Sequence, residues 1–354
     1  MMQVGILGCG NIAPAYLKGL SQHPEDVRAV ACADLVPEKA QDFAAKHSLQ
    51  ALSIEALLNH PEIDIIINLT VPAVHSEVSL QIIEAGKHVY SEKPLGLTRK
   101  EGESILQAAR NKGVRVGCAP DTFLGAGGQT ARHLIDQGVI GTPVSASAFF
   151  MSHGPESWHP NPFFFYQPGA GPLFDMGPYY LTALVHLLGP IESLSAVTSR
   201  AFSERVAGHE TIRGQRIPVN VDTHYLGLLR FASGVVANMN MSFDVWQHTL
   251  PRIEVYGTQG SMLVPDPNTF KGPVSIWTPE REQWEDQPLI GDPEALRGAG
   301  VADMARGIAA NELHRASGDL ALHVLDAMVA FGEAAASGQH VKLTTTVQRP
   351  ALWE

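Results

Sequence analysis

The stretch Gln3-Val-Gly-Ile-Leu-Gly-Cys-Gly-Asn-Ile-Ala13 decides the fold. Its apolar start, Gln3–Leu7, predicts a strand, and the pattern Gly8-x-Gly10-x-x-Ala13 leads into a helical stretch reaching about Leu20. Glycine at 8 permits a tight turn, glycine at 10 lets a pyrophosphate approach the backbone, and alanine at 13 allows close helix–strand packing. Phosphates would then sit on the free N–H groups at the helix start. Taken alone, the pattern also describes an ordinary strand–helix turn. Its context is more specific, because a second strand, Val27–Ala33, ends in Asp34. That acid follows the turn by about 20 residues, where a carboxylate accepts hydrogen bonds from both ribose hydroxyls of NAD. The same charge repels the extra phosphate of NADP, so NAD is the expected cofactor and NADP the less favoured one.

Outward from the turn the alternation continues. Pro37–Lys46 and Ser53–Leu58 read as helices, and Asp64-Ile-Ile-Ile-Asn-Leu69 as a strand buried on both faces. A helix from about His75 to Ala85, the strand Lys87–Tyr90, a helix from Lys100 to Lys112 and the strand Val114–Cys118 complete the series. Regular strand–helix alternation predicts a doubly wound parallel sheet, whose ligands lie beyond the carboxyl ends of its strands. Thr70, Glu92, Lys93 and Pro94 all fall at such ends. Lys93 directly follows a buried strand, and Pro94 restricts its backbone, so its ammonium is aimed rather than loose.

Composition bounds the function. The 354 residues suit two domains, and a net charge of −11 with no basic cluster argues against nucleic acid. No apolar run approaches the ~18 residues of a membrane span, and the N-terminus lacks a signal-peptide pattern. Three scattered cysteines, Cys9, Cys32 and Cys118, fit a reduced cytoplasmic setting rather than a disulfide framework or zinc site. The 15 histidines form no His-x-His or His-x-x-x-His set with a carboxylate at ligand spacing, so no metal is expected.

Three stretches carry a family resemblance: Gly8-Cys-Gly-Asn-Ile-Ala13, Thr70-Val-Pro-Ala-Val-His75 and Ala85-Gly-Lys-His-Val-Tyr-Ser-Glu-Lys-Pro94. With Gly257-Thr-Gln-Gly260 and Val324-Leu-Asp-Ala-Met328 the match spans essentially the whole chain. The sequence resembles the glucose-fructose oxidoreductase / inositol dehydrogenase (Gfo/Idh/MocA) family. That resemblance implies an α/β fold, with an N-terminal Rossmann domain (1–121) and a C-terminal α+β domain (122–354). The second domain would hold a large, mainly antiparallel sheet that mediates a homodimer or homotetramer. It also implies an NAD(P)-dependent dehydrogenase or reductase acting on CH–OH groups of sugars, polyols or their derivatives. Gly8, Gly10, Asn11, Ile12 and Asp34 would contact the cofactor from the first turn and the second strand. Thr70, Pro72, His75, Glu92 and Lys93 would do so from the later strand ends.

The boundary falls near Pro120–Gly128, where proline, aspartate and glycines interrupt the pattern. From Ser152 to Pro172 runs a long aromatic loop stiffened by proline and glycine, too long for a mere linker. Trp158 and Tyr166 could offer flat faces to a sugar ring, with His153 and His159 as hydrogen-bonding groups. The same aromatics could instead pin the loop to the core, and both can hold. Asp175–Gly189 then reads as a helix with Asp175 as N-cap and Pro178 in the first turn. Asp175 and Tyr179 are spaced i, i+4 and share a face. The resemblance implies a catalytic pair here, usually aspartate and histidine. This chain carries Tyr179, and some branches of the family use tyrosine. A phenol near the Lys93 ammonium would have a lowered pKa and could exchange a proton with the substrate oxygen. The expected catalytic set is therefore Lys93, Tyr179 and Asp175. Two alternatives stay open: a non-catalytic NAD-binding sensor, and an NAD-dependent glycoside-cleaving enzyme of the same fold.

Overall fold

The structure is a computed structural model that describes residues 1–353. The opening run forms β1 (Met2–Leu7) and leads through the glycine turn into α1 (Ala13–Leu20). There follow β2 (Val27–Ala33), α2 (Pro37–His47), β3 (Gln50–Ala51), α3 (Ile54–Leu58), β4 (Ile65–Asn68) and α4 (His75–Glu84). Then come β5 (His88–Ser91), α5 (Arg99–Lys112) and β6 (Val116–Cys118). The sheet order is β3-β2-β1-β4-β5-β6, with every pair parallel. Winding reverses between β1 and β4, which makes their carboxyl ends the switch point where such sheets bind ligands. All four residues of β4 are buried, as the unbroken apolar run requires of a strand covered on both faces.

The next elements are α6 (Ala126–Asp136), β7 (Pro143–Met151), α7 (Gly171–Leu188), β8 (Ile191–Ser199), β9 (Glu204–Val206) and β10 (Arg216–Pro218). After them run β11 (His224–Phe231), β12 (Val236–Ser242), β13 (Ile253–Gly257), β14 (Ser261–Val264), β15 (Ser275–Trp277) and β16 (Glu285–Asp286). The chain ends with α8 (Ala299–Ala310), α9 (Gly318–Ser337) and β17 (Val341–Lys342). Nine strands form the second sheet in the order β16-β15-β14-β13-β7-β12-β11-β8-β17. Only the β12–β7 pair in it is parallel. In β11 the burial alternates strictly, with Tyr225, Gly227, Leu229 and Phe231 facing the core.

The chain divides into two compact units. Met1–Gly125, Asp292–Leu325 and Trp353 form the first; Ala126–Gly291 and Asp326–Leu352 form the second. The first unit is therefore built from separated segments. Its late segment is fastened at the start of α8, where the buried Asp121 carboxylate accepts the N–H groups of Gly298 (2.8 Å) and Gly300 (3.0 Å). A carboxylate at a helix start is also favoured by the helix dipole. By length and composition α9 could cross a membrane, yet 61% of its apolar window is buried inside the protein. Leu325, Ala327, Met328, Ala330 and Phe331 are each exposed by 1% or less, which marks a core helix.

One expectation is corrected in the second unit. Helix α7 begins at Gly171 rather than Asp175; Ala170 is its N-cap, Pro172 lies in its first turn and Pro178 lies inside it. Asp175 is thus not a cap. Of the 18 residues in α7 only Phe174 and Asp175 escape full burial.

Candidate active site

The phosphate turn is shaped by two glycines with different tasks. Gly8 has φ +104°, and a Cβ there would stand 2.7 Å from the Leu69 carbonyl oxygen, so β1 and β4 approach here as no side chain would allow. A Cβ on Gly10 would meet nothing within 4 Å. That open space, which any side chain would enter, is what a pyrophosphate needs. Among the described residues the N–H groups of Gly10, Asn11 and Ile12 meet no protein acceptor. Ile12 caps α1 without a side-chain hydrogen bond. Donors left unpaired at a helix start form an anion site. At the end of β2 the Asp34 carboxylate accepts Cys9 N–H (2.8 Å) through one oxygen and Val36 N–H (2.9 Å) through the other. It is oriented beside the turn and only half-buried. These residues fit a dinucleotide.

The strand ends after β4 and β5 are braced from within. Buried Asn68 donates to the His75 carbonyl and the Ser79 hydroxyl, both at 3.1 Å, and accepts from Thr70 N–H and Oγ1. That arrangement holds the turn carrying Thr70 and Pro72, which opens a 3-10 turn, Pro72–Val74. His75 is 1% exposed, with its ring nitrogens against the carbonyls of Pro94 (2.8 Å) and Thr70 (2.9 Å). Burial lowers its pKa. As a side chain it joins two strand-end loops. Glu92 is likewise engaged within the protein. Its carboxylate accepts the Tyr16 hydroxyl of α1 (2.7 Å) and the Lys93 N–H (3.0 Å), so it anchors the lysine's backbone to the phosphate-turn helix. Tyr16 is fully buried and its pKa is raised, chiefly by that burial, which keeps it a donor. Lys93 itself is partly exposed at this edge. Nothing in the sequence marked Tyr16 beyond its place one turn into α1.

In the second unit, Asp175 and Tyr179 lie one turn apart on α7, the tyrosine 6% exposed. His159 is within electrostatic reach of Asp175, whose charge favours the imidazolium, although burial lowers the histidine's pKa on balance. Trp158 is 63% exposed, an open aromatic face beside His159. Tyr166, expected as a second sugar platform, is wholly buried, with its hydroxyl donating to the Glu156 carboxylate. It belongs to a small core with Phe165, Ile217, Val219 and Phe243. His153 stacks on Trp246 (ring centroids 3.4 Å apart) and meets Arg205 Nη1 at 3.3 Å, so it fixes the loop.

Arg205, on β9, was not anticipated. Its side chain is 4% exposed and donates to Glu156 (3.0 Å), Asp244, and the carbonyls of His153 (3.1 Å) and Phe243 (2.7 Å). The guanidinium also lies 4.5 Å from the Phe202 ring centre. One planar cation thus ties the aromatic loop, a hairpin and the end of β12 together. A lone arginine in a three-residue strand gives no sequence signal of this kind.

The chain matches two family descriptions: an oxidoreductase family with an NAD-binding Rossmann fold over residues 2–119, and the GFO/IDH/MocA C-terminal domain over residues 129–263. It is 28% identical over 352 residues to a 1,5-anhydro-D-fructose reductase of Ensifer adhaerens, covering 98% of this chain and 99% of that one. It is 31% identical to a dTDP-3,4-didehydro-2,6-dideoxy-alpha-D-glucose 3-reductase of Streptomyces antibioticus, over 74% of each chain. The fold superposes on levoglucosan dehydrogenase in complex with NADH and L-sorbose with a TM-score of 0.82 and 21% identity, covering 98% of this chain and 99% of the other.

Proposed function

The chain belongs to the GFO/IDH/MocA family of NAD-binding oxidoreductases, and from that premise we propose that it moves hydride between NAD and a hydroxyl or carbonyl carbon of a sugar. The observation that carries this reading is the phosphate turn, with its unpaired N–H groups, open Gly10 and oriented Asp34, on the sheet edge that also bears Lys93. Bound there, the nicotinamide supplies the redox chemistry. The chain's own residues bind, orient and move the proton. Gly10, Asn11 and Ile12 hold the phosphates, and Asp34 accepts the ribose hydroxyls. Lys93 polarises the substrate oxygen, Tyr179 exchanges its proton, and Asp175 orients the pair. Trp158 and His159 supply a stacking face and a hydrogen-bonding group for the sugar. The named relatives are reductases of 1,5-anhydro-D-fructose and of a dTDP-linked didehydro sugar, which makes anhydrosugars and keto-sugars, free or nucleotide-linked, the first substrates to try. A panel of sugars, polyols and sugar acids, each offered with NAD and NADP and followed by nicotinamide absorbance, tests this. Tight NAD binding without turnover of any of them would count against it.

Cofactor choice has its own test. Asp34→Ala removes the acceptor for two ribose hydroxyls, and hydrogen bonds to a charged group contribute about 1.5–3 kcal/mol each. Two such bonds together are expected to raise KM for NAD by about two orders of magnitude or more, with KM for NADP unchanged or lower. An unchanged ratio of kcat/KM for the two cofactors would remove Asp34 from this role.

We further propose that the molecule is a homo-oligomer joined through its second sheet. Leu226 on β11 is 41% exposed opposite Val197 on β8 at 64%, next to Leu228 at 63% and Val236 at 50%. A contiguous apolar stripe of this kind marks a contact surface. Light scattering should give a multiple of the chain mass, and Leu228→Lys should reduce it; a monomeric wild-type protein refutes the idea.

A further inference from the structure

The start of α1 offers the N–H groups that suit the cofactor's phosphates, whereas Lys93 stands just beyond the end of β5. One side chain of α1 joins the two. Tyr16 lies one helical turn beyond Ile12, with its N–H on the Ile12 carbonyl at 3.3 Å. Its fully buried ring packs edge-on against Tyr90 of β5, the centroids 6.4 Å apart. Beyond the ring, the hydroxyl donates to Glu92 Oε1 at 2.7 Å, and Glu92 Oε2 accepts the Lys93 N–H at 3.0 Å. Two hydrogen bonds therefore link the phosphate-turn helix to the lysine's peptide.

We propose that Tyr16 is a positioning residue for hydride transfer: by steering the Glu92 carboxylate it holds Lys93 in the frame of the helix that binds the cofactor. This rests on the reading of Lys93 as the group that polarises the substrate oxygen. The backbone around Glu92 has supports of its own. Its N–H donates to the Asn68 carbonyl (2.9 Å), its carbonyl accepts the Ser91 hydroxyl (2.9 Å), and the Pro94 carbonyl lies against the His75 ring (2.8 Å). What Tyr16 adds is the direction of the carboxylate. Hydrogen bonds to a charged group are short and directional, and one on each oxygen leaves the carboxylate a single orientation. With the hydroxyl gone it can turn about its last bond, and the Lys93 N–H follows it. A small rotation there is amplified along the lysine's stem to the ammonium.

A phenol suits this part. Burial, then the Glu92 charge, raises the Tyr16 pKa well above that of a free phenol, so the hydroxyl stays a donor. A neutral donor also fixes the carboxylate without placing a second cation near Lys93, which would repel its ammonium. A displacement of about 1 Å that originates away from the chemistry can lower a rate about 10²-fold. The loss expected from Tyr16→Phe is therefore about 10–100-fold in kcat.

The test places Tyr16→Phe in the full-length chain and, separately, in Lys93→Met. Turnover is followed with NADH and 1,5-anhydro-D-fructose, then with the sugar of the panel that reacts fastest; urea unfolding is measured beside it. Tyr16→Phe alone should lower kcat by about 10–100-fold and leave KM for NADH unchanged. In the Lys93→Met background the same substitution should alter kcat by no more than about twofold, because it acts only through the ammonium. A tyrosine that merely props the core would slow both backgrounds alike. Tyr16→Phe/Glu92→Leu removes the buried carboxylate together with its donor, so stability should return while kcat stays low. A kcat for Tyr16→Phe within about twofold of the parent, an equal loss with and without the lysine, or a kcat that recovers with stability would each overturn the proposal. Full turnover by Lys93→Met, or turnover of no sugar by the parent, would end the reading of the lysine and this proposal with it. A slow Lys93→Met beside an unimpaired Tyr16→Phe defeats the positioning role alone.

Discussion

Lys93→Met is expected to lower kcat by about 10²–10⁴ while leaving the unfolding transition nearly unchanged. Methionine keeps most of the aliphatic stem, so what disappears is the ammonium at the end of β5. A positioned group that polarises an oxygen or moves its proton contributes that range of rate. KM for NAD should barely move, because the phosphate turn and Asp34 do not depend on the lysine's charge. Tyr179→Phe removes only a hydroxyl and should fall in the same range. If the two act on one proton, the double variant will lose far less than the product of the single losses, as groups acting as a unit do. Full turnover in both single variants, with folding intact, would dismiss the assignment.

Arg205→Met is the second large effect, and it falls on stability. The guanidinium is the common partner of Glu156 and Asp244, whose side chains are 7% and 9% exposed. Deleting the cation leaves two carboxylates buried together, and breaking a buried pair from one side costs about 3–5 kcal/mol. Urea unfolding should show that loss, and KM for the sugar should rise as the loop bearing Trp158 and His159 loosens. KM for NAD should not follow. Tyr166→Phe, which removes one donor from Glu156, should cost only about 1–3 kcal/mol. Adding Glu156→Gln and Asp244→Asn to Arg205→Met should recover part of the loss, because the uncompensated charge goes with them. An Arg205→Met protein within 1 kcal/mol of the parent would contradict this account.

The first sheet was legible because its signals are local. A strand, a glycine turn, a helix and an acid about 20 residues on are dictated by steric and charge requirements close in sequence. The second sheet was legible only in outline, since its strand order depends on pairings between distant segments. The start of α7 was misplaced because two prolines compete as start signals. Pro172 proved to be the first-turn proline, while Pro178 sits inside a helix whose burial offsets the lost hydrogen bond. His75, Glu92 and Tyr166 were read as ligand contacts because their residue types suit that role. In each case the polar atoms also meet a partner far along the chain, or across a loop, that residue type alone does not reveal. Arg205 was invisible for the same reason: a buried cation is defined by the anions around it, and these lie 49 and 39 residues away.

The clasp between Asp121 and the start of α8 bears on how this protein can be cut and recombined. A gene fragment ending at Gly125 encodes every strand of the parallel sheet but not the helix whose N–H groups answer that carboxylate, nor Leu322, which completes the apolar core beneath the sheet. Such a fragment exposes the core and strands a buried charge. The exchangeable module for grafting a different cofactor preference onto this scaffold is therefore two separated stretches, Met1–Gly125 and Asp292–Leu325, transplanted as a pair.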